Sequence, residues 1–491
     1  MNKAIPFVLA VDVGTSTLKS VLYSRDGHTL AVASGRYEYR SPHAGWAEAD
    51  PEDWWAAFVS SVQQLRAEGY TLDSLSYIAV TGQMHTVVLL DDDGTVIPPT
   101  ILWLDRRAAA ETAELQDKLE LPSHQLNSTY SLPRLLWLTR NQPQVINQVR
   151  HILWPKDYLR YRLTGVVMTD RTEAGGAALL DWETLEWAEE RLVDLGLDSN
   201  VLPPFGEPAE SGGPLRADIA GQLGLSEQVQ VLVGVGDVLA LVTAAPPTPG
   251  RVTCSLGSSS MIFYPMIGSE DYSDEKRRIY EYPLLPYRML GGVSSTSGAS
   301  LYWAYQTLYG AEQPYDAAIQ EALDTAPGAD GLVFMPFLSG ERSPFWSDAL
   351  SGGFYGLRLS HSRPQMMRSV MEGVAFSLRY ILDIYRELGV PLDQIALAGG
   401  GAATPGWPQI FADVCQVPLA MYAGQETVSH GLYAYACLAS GETSFADALA
   451  RTFAPPVYVS PKLECQDDYD RSYKQYCALV EFASQTLAAK H

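Results

Sequence analysis

Cysteine is scarce in this chain: five residues in 491, Cys254, Cys415, Cys437, Cys465 and Cys477. An odd number with no CxxC spacing gives no disulfide framework, and a reduced, cytoplasmic enzyme is the expectation. Positive charge is short as well. Against 57 Asp and Glu there are 34 Lys and Arg, a formal net charge of −23. That balance argues against a nucleic-acid groove or an anionic membrane surface as partner. Phosphorylated ligands stay open, because backbone amides and a metal hold phosphate even inside an acidic protein. No apolar run reaches the length of a membrane span, and "MNKAIPFVLAVDVG" lacks a signal-peptide cleavage pattern. The two common nucleotide loops, GxxxxGK(S/T) and GxGxxG, are missing, as are low-complexity tails and coiled-coil runs.

What is present has the make-up of a folded protein of two domains or more. Hydrophobic residues make up 47% and charged residues 19%, and 491 residues exceed one ordinary core. "FVLAVDVG" reads as a strand ending in glycine, and "LKSVLYSRDGHTLAVAS" as a hairpin about Asp26–Gly27. In "DPEDWWAAFVSSVQQLRAEGY" Asp50 is a candidate N-cap, Pro51 lies in the first turn and Gly69 closes a helix. Trp54, Trp55, Phe58, Val62 and Leu65 recur there at helical spacing. "SYIAVTGQMHTVVLLDDDGTVI" is a strand, a glycine turn and a second hairpin at Asp93–Gly94, whose acidic tip is solvated. Strands mixed with helices make the fold class α/β.

The second half reopens with the same grammar. "RVTCSLGSSSMIFY" is strand, glycine–hydroxyl turn, strand, like "VLAVDVGTSTLKSVLY". Aligned on glycine, Val13-Gly14-Thr15-Ser16-Thr17 matches Leu256-Gly257-Ser258-Ser259-Ser260. The short repeat suggests two related halves. Proline-rich "AAPPTPG" at 244–250 is the best junction, giving domains 1–246 and 247–491.

Three glycine-rich turns follow strands, at 14–17, 257–260 and 399–401. Singly, each reads as a tight hairpin. Together, two of them in a repeated context, they point to a polyphosphate clamp made of backbone amides. Asp12 in "AVDVG" and Asp237 in "GVGDVLALV" are isolated carboxylates at strand ends. Either could be a turn acceptor; beside three phosphate turns, metal binding and general-base work become the better reading. "TGQMHT" offers Gln83, Met84 and His85, two polar groups about an apolar one, which suits a polyhydroxylated ligand as well as a core Met beside a surface His. In "WLDRR", Trp103 and Asp105 are ligand contacts, or Asp105 caps the next helix.

These segments, in order, resemble the FGGY carbohydrate kinases, most closely the xylulokinase branch. The resemblance runs through "VDVGTSTLK", "WAEADPEDWW", "TGQMH", "WLDRR", "LWPKDYLRYRLTG", "GVGD", "SLGSSS", "PFLSGERSPFWSDALSGGFYGL", "MEGVAFSLR" and "LAGGGAATPGWPQIFADV". It implies two ribonuclease-H-like α/β domains of the actin, hexokinase and heat-shock ATPase type around a central cleft. It also implies transfer of phosphate from ATP, with Mg2+, to a sugar hydroxyl, O5 of D-xylulose in that branch. Asp237 falls on the family's catalytic base and Asp12 on its metal-associated aspartate. Met84 and His85 fall on sugar contacts, and Thr15, Ser16, Thr17 and Lys19 on the first phosphate hairpin. Gly257 and Ser258 fall on the second hairpin, Gly298 on a nucleotide-contacting glycine, and Gly400 and Gly401 beside the adenosine.

The pattern departs from the branch at Val238, where Asn usually helps hold the sugar, in Gly-Ser-Ser-Ser for Gly-Thr-Ser-Gly, and at Ala403, often Arg. Val238 bears most on substrate choice, and L-xylulose, ribulose, gluconate or a polyol are the alternative acceptors. A different class, an actin- or chaperone-type ATPase without a sugar substrate, is opposed by "GQMH". The expected partners are a sugar with ATP and ADP, without nucleic acid or membrane; a homodimer stays an open alternative.

Overall fold

The protein is described by a computed structural model covering residues 6–121, 125–193, 195–237, 245, 247–267, 270, 272–282, 288–310, 312–347, 349–422 and 427–488. The chain divides into two compact units, Met1–Pro246 with Val428–Phe453, and Pro247–Thr427 with Ala454–His491. A single cut after residue 246 would assign 428–453 to the second unit. That segment belongs to the first because it bonds to the opening hairpin: Tyr23 Oη and Ser429 Oγ are 2.6 Å apart, and Tyr433 Oη donates to the Arg25 carbonyl at 2.7 Å.

In the first unit, β1 (Pro6–Val13), β2 (Thr17–Ser24) and β3 (Thr29–Arg36) pair antiparallel. Then come β4 (Tyr77–Gly82), β5 (Ser211–Pro214) and β6 (Gln230–Leu232), in the sheet order β5-β6-β4-β1-β2-β3. β4 is parallel to β1, and β6 to β4. The helix α1 (Pro51–Ala67) starts where Asp50 accepts the Glu52 N–H at 3.0 Å. Its Trp54, Phe58, Val62 and Leu65 are buried in one cluster with Leu9, Val11, Leu18 and Leu22 of the sheet. Each such burial contributes on the order of 1.5–3 kcal/mol. The helix α2 (Ala109–Leu119) follows, and three further helices carry site residues: α3 (Ser131–Asn141), α4 (Pro155–Thr164) and α5 (Arg171–Ala177).

In the second unit, β7 (Arg251–Leu256), β8 (Ser260–Met266), β9 (Tyr280–Tyr282) and β10 (Arg288–Ser294) are joined by β11 (Gln394–Ala398), β12 (Leu419–Met421) and β13 (Val457–Val459). The order is β9-β10-β8-β7-β11-β12-β13. β7, β8 and β10 pair antiparallel, β11 lies parallel to β7 and β12 parallel to β11. The run β10-β8-β7-β11-β12 therefore repeats β3-β2-β1-β4-β6. The five-residue likeness of the two glycine turns extends to a whole sheet. The helix α6 (Gly298–Leu308) precedes the long α7 (Arg363–Glu387), which opens with Ser362 N–H donating to Gln365 at 3.0 Å. From α7, Met367, Val370, Met371 and Val374 share a buried cluster with Val252, Cys254, Ile262 and Leu290. Among the described residues no helix is long and apolar enough to cross a membrane.

Candidate active site

In open parallel sheets ligands gather beyond the carboxyl ends of the strands. In the first unit β1, β4 and β6 share such an edge. Asp12, near the end of β1, has Lys19 of β2 and Thr81 of β4 as register partners, so the three share a sheet face. The turn after β1 is tight: Gly14 N–H donates to the Thr17 carbonyl at 3.1 Å, and a Cβ on Gly14 would lie 2.9 Å from that oxygen. Tyr37 Oη donates to the Gly14 carbonyl at 2.6 Å, and burial, then the Asp12 charge, pushes this phenol up. Thr15 and Thr17 are half-buried and Ser16 is exposed.

Two sugar-side candidates brace that turn. Trp103 Nε1 donates to Thr15 Oγ1 at 3.0 Å, and Gln83 Nε2 to the Gly14 carbonyl at 3.3 Å. Thr86 links the two, accepting the Trp103 N–H at 3.1 Å and donating to Gln83 Oε1 at 3.4 Å. His85 holds a φ of 71°, a left-handed conformation that costs about 1–3 kcal/mol outside glycine. Its surroundings impose it: the carbonyl accepts from Ser131 Oγ at 2.6 Å and Arg134 NH2 at 2.7 Å, while Nδ1 meets the Gly176 carbonyl at 2.5 Å. Arg134, from α3, is wholly buried, and desolvation lowers its pKa to about 9. Buried Met84 presses on two glycines. A Cβ on Gly176 would lie 2.8 Å from Met84 Cε, and one on Gly236 2.8 Å from its Sδ.

Asp237 is half-buried and follows β6 through Gly234, whose φ of 75° and a would-be Cβ 1.9 Å from the Val80 carbonyl leave no room for another residue. Thr81 Oγ1 donates to the Val235 carbonyl at 2.6 Å, tying this segment to β4 beside Asp12. Next to it lies a buried charge cluster from α4 and α5. Lys156 Nζ is 2.6 Å from Asp157 and 2.9 Å from Asp170, and Arg160 is 3.2 Å from Asp157. Desolvation works against the Lys156 charge, but Asp157, Asp170 and Glu173 together hold its pKa above the ordinary value. Glu173 is wholly buried, and neither carboxyl oxygen has a hydrogen-bond partner among the described residues. Burial, with Asp157, Asp170 and Asp237 adding repulsion, pushes Glu173 well up despite Lys156.

Asp105 is a correction. It does not cap α2, whose N-cap residue is Ala108 with no side-chain bond. Nor are its oxygens open to a ligand: they accept from Ala47 N at 2.5 Å, Arg107 N at 2.9 Å and Arg107 NH2 at 2.8 Å, on a side chain 1% exposed. The guanidinium of Arg107 in turn stacks 3.6 Å from the Trp46 ring. Asp105 organises the loop that presents Trp103.

The second unit gathers its glycine turns into one cradle. Gly298 N–H donates to the Gly257 carbonyl at 2.8 Å, while Ser297 and Ala299 N–H donate to the Ser258 carbonyl at 2.8 and 3.1 Å. A Cβ on Gly298 would sit 2.6 Å from the Gly257 carbonyl, and one on Gly399 2.7 Å from the Leu256 carbonyl. Gly401 packs on Leu256 in the same way, with a would-be Cβ 2.5 Å from its Cγ. Gly400 faces open space, with nothing within 4 Å of a Cβ there. Buried Glu341, of the "SGERSP" segment, underpins this cradle. It accepts from Ser294 Oγ at 2.9 Å, Ser295 N at 2.6 Å and Arg342 N at 2.8 Å; burial raises its pKa against those donors. Bare glycine backbone beside an exposed Ser258 fits a nucleotide's phosphates and ribose. Among the described residues no group of three or more His, Cys, Asp and Glu could cage a metal. Asp12 and Asp237 fit the other mode, in which Mg2+ is held by one or two carboxylates and the substrate phosphates.

Sequence reasoning passed over Lys156, Asp170, Thr172, Glu173, Gly176 and Glu341 as site-forming residues. Their signal was charge inside otherwise buried helices, in "WPKDYLR" and "TDRTEAGG". Val238 lies outside the described residues, as does most of the helix-like "LALVTAA".

Comparison with known proteins fixes what this architecture belongs to. Residues 7–243 match the FGGY family of carbohydrate kinases, N-terminal domain, and residues 252–440 its C-terminal domain. A xylulose kinase from Lactococcus lactis subsp. lactis is 32% identical over 422 residues, 83% of each chain. The crystal structure of a "xyloylose kinase" from Brucella ovis matches with TM-score 0.88 at 28% identity, covering 98% of this chain and 99% of its own. A gluconate kinase structure from Lactobacillus acidophilus, 24% identical, shares the fold at TM-score 0.89 over 99% of both chains. The protein is a phosphotransferase acting on an alcohol group of a sugar-type acceptor. It belongs to the FGGY family of carbohydrate kinases, and membership implies ATP as phosphoryl donor.

Proposed function

We propose that the protein phosphorylates O5 of D-xylulose, with ATP as donor and D-xylulose 5-phosphate and ADP as products. The observation that carries this reading is the Gln83–Met84–His85 turn, in which a forced left-handed backbone at His85 sets the imidazole beside an apolar Met surface. Donors to hydroxyls flanking a face for carbon atoms suit a small ketose. The xylulose kinase from Lactococcus lactis supports the same acceptor.

In this reading Asp237 is the base. Its carboxylate takes the proton of the acceptor hydroxyl as the new O–P bond forms and the bond from the γ-phosphorus to the ADP oxygen breaks. With a loose transition state the base acts by positioning and late proton transfer, and the gain comes from fixed amides and charge around the phosphates. Thr15, Ser16, Thr17 and Lys19 of the first turn and Ser258, beside Gly257, of the second are the groups proposed to hold phosphate oxygens, and Gly298, Gly400 and Gly401 to face the nucleoside. Mg2+, when bound, supplies charge neutralisation on the phosphates, with Asp12 and Asp237 as its protein carboxylates. A gluconate-like or polyol acceptor is the second reading, favoured by Val238 in place of the Asn usual in xylulokinases.

A coupled ADP-release screen over ketoses, polyols and aldonates tests the acceptor. D-xylulose should give the highest kcat/KM, and its absence from the leading substrates overturns the acceptor assignment. Asp237→Ala should abolish turnover while nucleotide Kd stays within about twofold, since it removes an interaction made in the transition state. Near-normal turnover would sink the base assignment.

A further inference from the structure

The Val235–Gly236 peptide, one residue before Asp237, is held by a chain of polar contacts. Gly236 N–H donates to Thr172 Oγ1 at 2.8 Å. The same hydroxyl donates to Asp170 Oδ2, which also accepts the Thr172 N–H at 2.9 Å. The other Asp170 oxygen lies 2.9 Å from Lys156 Nζ, and both ends of that ion pair are buried. Thr172 is 5% exposed, Asp170 2% and Lys156 0%, so water is not at hand to replace a missing member. The donor direction at Thr172 is set: the Asp170 carboxylate only accepts, so the Thr172 hydroxyl gives its proton to Asp170 and keeps a lone pair for Gly236. Gly236 itself has no slack, because a Cβ there would lie 2.8 Å from Met84 Sδ and 2.9 Å from Thr172 Oγ1.

We propose that Thr172, oriented by Asp170 and Lys156, is a positioning residue that fixes the Val235–Gly236 peptide, one residue before Asp237, and so aims the carboxylate of Asp237. The inference rests on the reading of Asp237 as the base. Thr172 meets this peptide through the Gly236 N–H, so its contribution is geometric. It falls on kcat, where a misplacement of about 1 Å can cost roughly 100-fold.

The test compares Thr172→Val, which keeps the shape and removes the hydroxyl, with Thr172→Ser, which keeps the hydroxyl. The readouts are kcat, KM for sugar and for ATP, and thermal unfolding. For Thr172→Val the expected result is a kcat loss of about 10- to 100-fold with both KM values within about twofold. Thr172→Ser should recover kcat to within about threefold, a rescue that a purely packing role of the methyl group would not produce. Should Thr172→Val fail to fold, Thr172→Ala against Thr172→Ser reads the same hydroxyl dependence. Wild-type kcat in the hydroxyl-free variants, with Asp237→Ala inactive, overturns the positioning role and leaves the base in place. Turnover by Asp237→Ala itself overturns the base reading instead.

Discussion

The indole of Trp103 donates to the hydroxyl of Thr15 at 3.0 Å, joining the loop after the "TGQMHT" turn to the first glycine turn. Two segments that sequence reasoning assigned to different ligands therefore share one hydrogen bond. Trp103→Phe keeps an aromatic ring, though a smaller one, and removes the donor; Thr15→Val removes the acceptor. In a double-mutant cycle by denaturant unfolding, the pair should show a coupling of about 0.5–1.5 kcal/mol. The two single variants should lower kcat/KM for sugar alike. Strict additivity would mean that the bond carries no energy.

How much of this was legible follows from the range of the forces involved. The opening hairpin, α1 with its Asp50 cap and the strand–turn–strand at 251–266 are local structures, written in turn residues and apolar spacing. The repeat seen in five residues suggests two related halves, and the likeness extends to the strand order of the two sheets. Asp105 was misread because its partners Ala47 and Arg107 come from a loop far upstream and from two residues on, and a carboxylate looks alike whether spent or free. The return of 428–453 to the first unit escaped notice for the same reason, since Tyr23 and Ser429 are 406 positions apart. Thr172 and Glu173 were invisible as site residues because burial, which gives them their force, is a property of the assembled helices.

Glu173 makes the stability of the protein depend on pH. Burial raises its pKa well above the ordinary 4.5, with Lys156 opposing and Asp157, Asp170 and Asp237 adding to the shift. Above the ordinary carboxylate range the unfolded chain has lost this proton while the folded chain keeps it. Stability therefore falls as pH rises from about 4.5 toward the folded value. Glu173→Gln keeps the shape of the protonated acid and removes the proton linkage. Its Tm relative to the unmodified protein should climb as pH goes from about 5 to about 8. A constant difference across that range would show that Glu173 titrates normally.

Glu341 should govern the nucleotide and not the sugar. Its carboxylate gathers the Ser294 hydroxyl and the Ser295 and Arg342 N–H groups, and the loop it holds continues into Ser297 and Gly298, which bond the Gly257–Ser258 turn. Glu341→Gln replaces one acceptor oxygen with a donor, so at least one of these bonds is lost. Bonds to a charged acceptor are worth about 1.5–3 kcal/mol, and part of that loss should appear in the unfolding free energy. ATP KM should rise several-fold while sugar KM holds, measured by varying each substrate at saturation of the other. Equal rises in both would place Glu341 in general support of the unit.

In the proposed reading Gly400 faces the nucleoside, and its surroundings differ from those of its neighbours. Its neighbours Gly399 and Gly401 cannot take a side chain, because a Cβ would meet the Leu256 carbonyl at 2.7 Å or the Leu256 Cγ at 2.5 Å. At Gly400 nothing lies within 4 Å, and its φ is outside the left-handed region. Gly400→Ala should thus leave Tm unchanged or raise it slightly, by about 0.4–1 kcal/mol of unfolding free energy, through the stiffer unfolded chain. A methyl group in the path of the nucleoside should raise ATP KM while sugar KM and the fold stay intact. Gly401→Ala, with no space to occupy, should lower Tm before any kinetic effect is read. If Gly400→Ala binds ATP as tightly as the unmodified protein, this turn is not where the nucleoside lies.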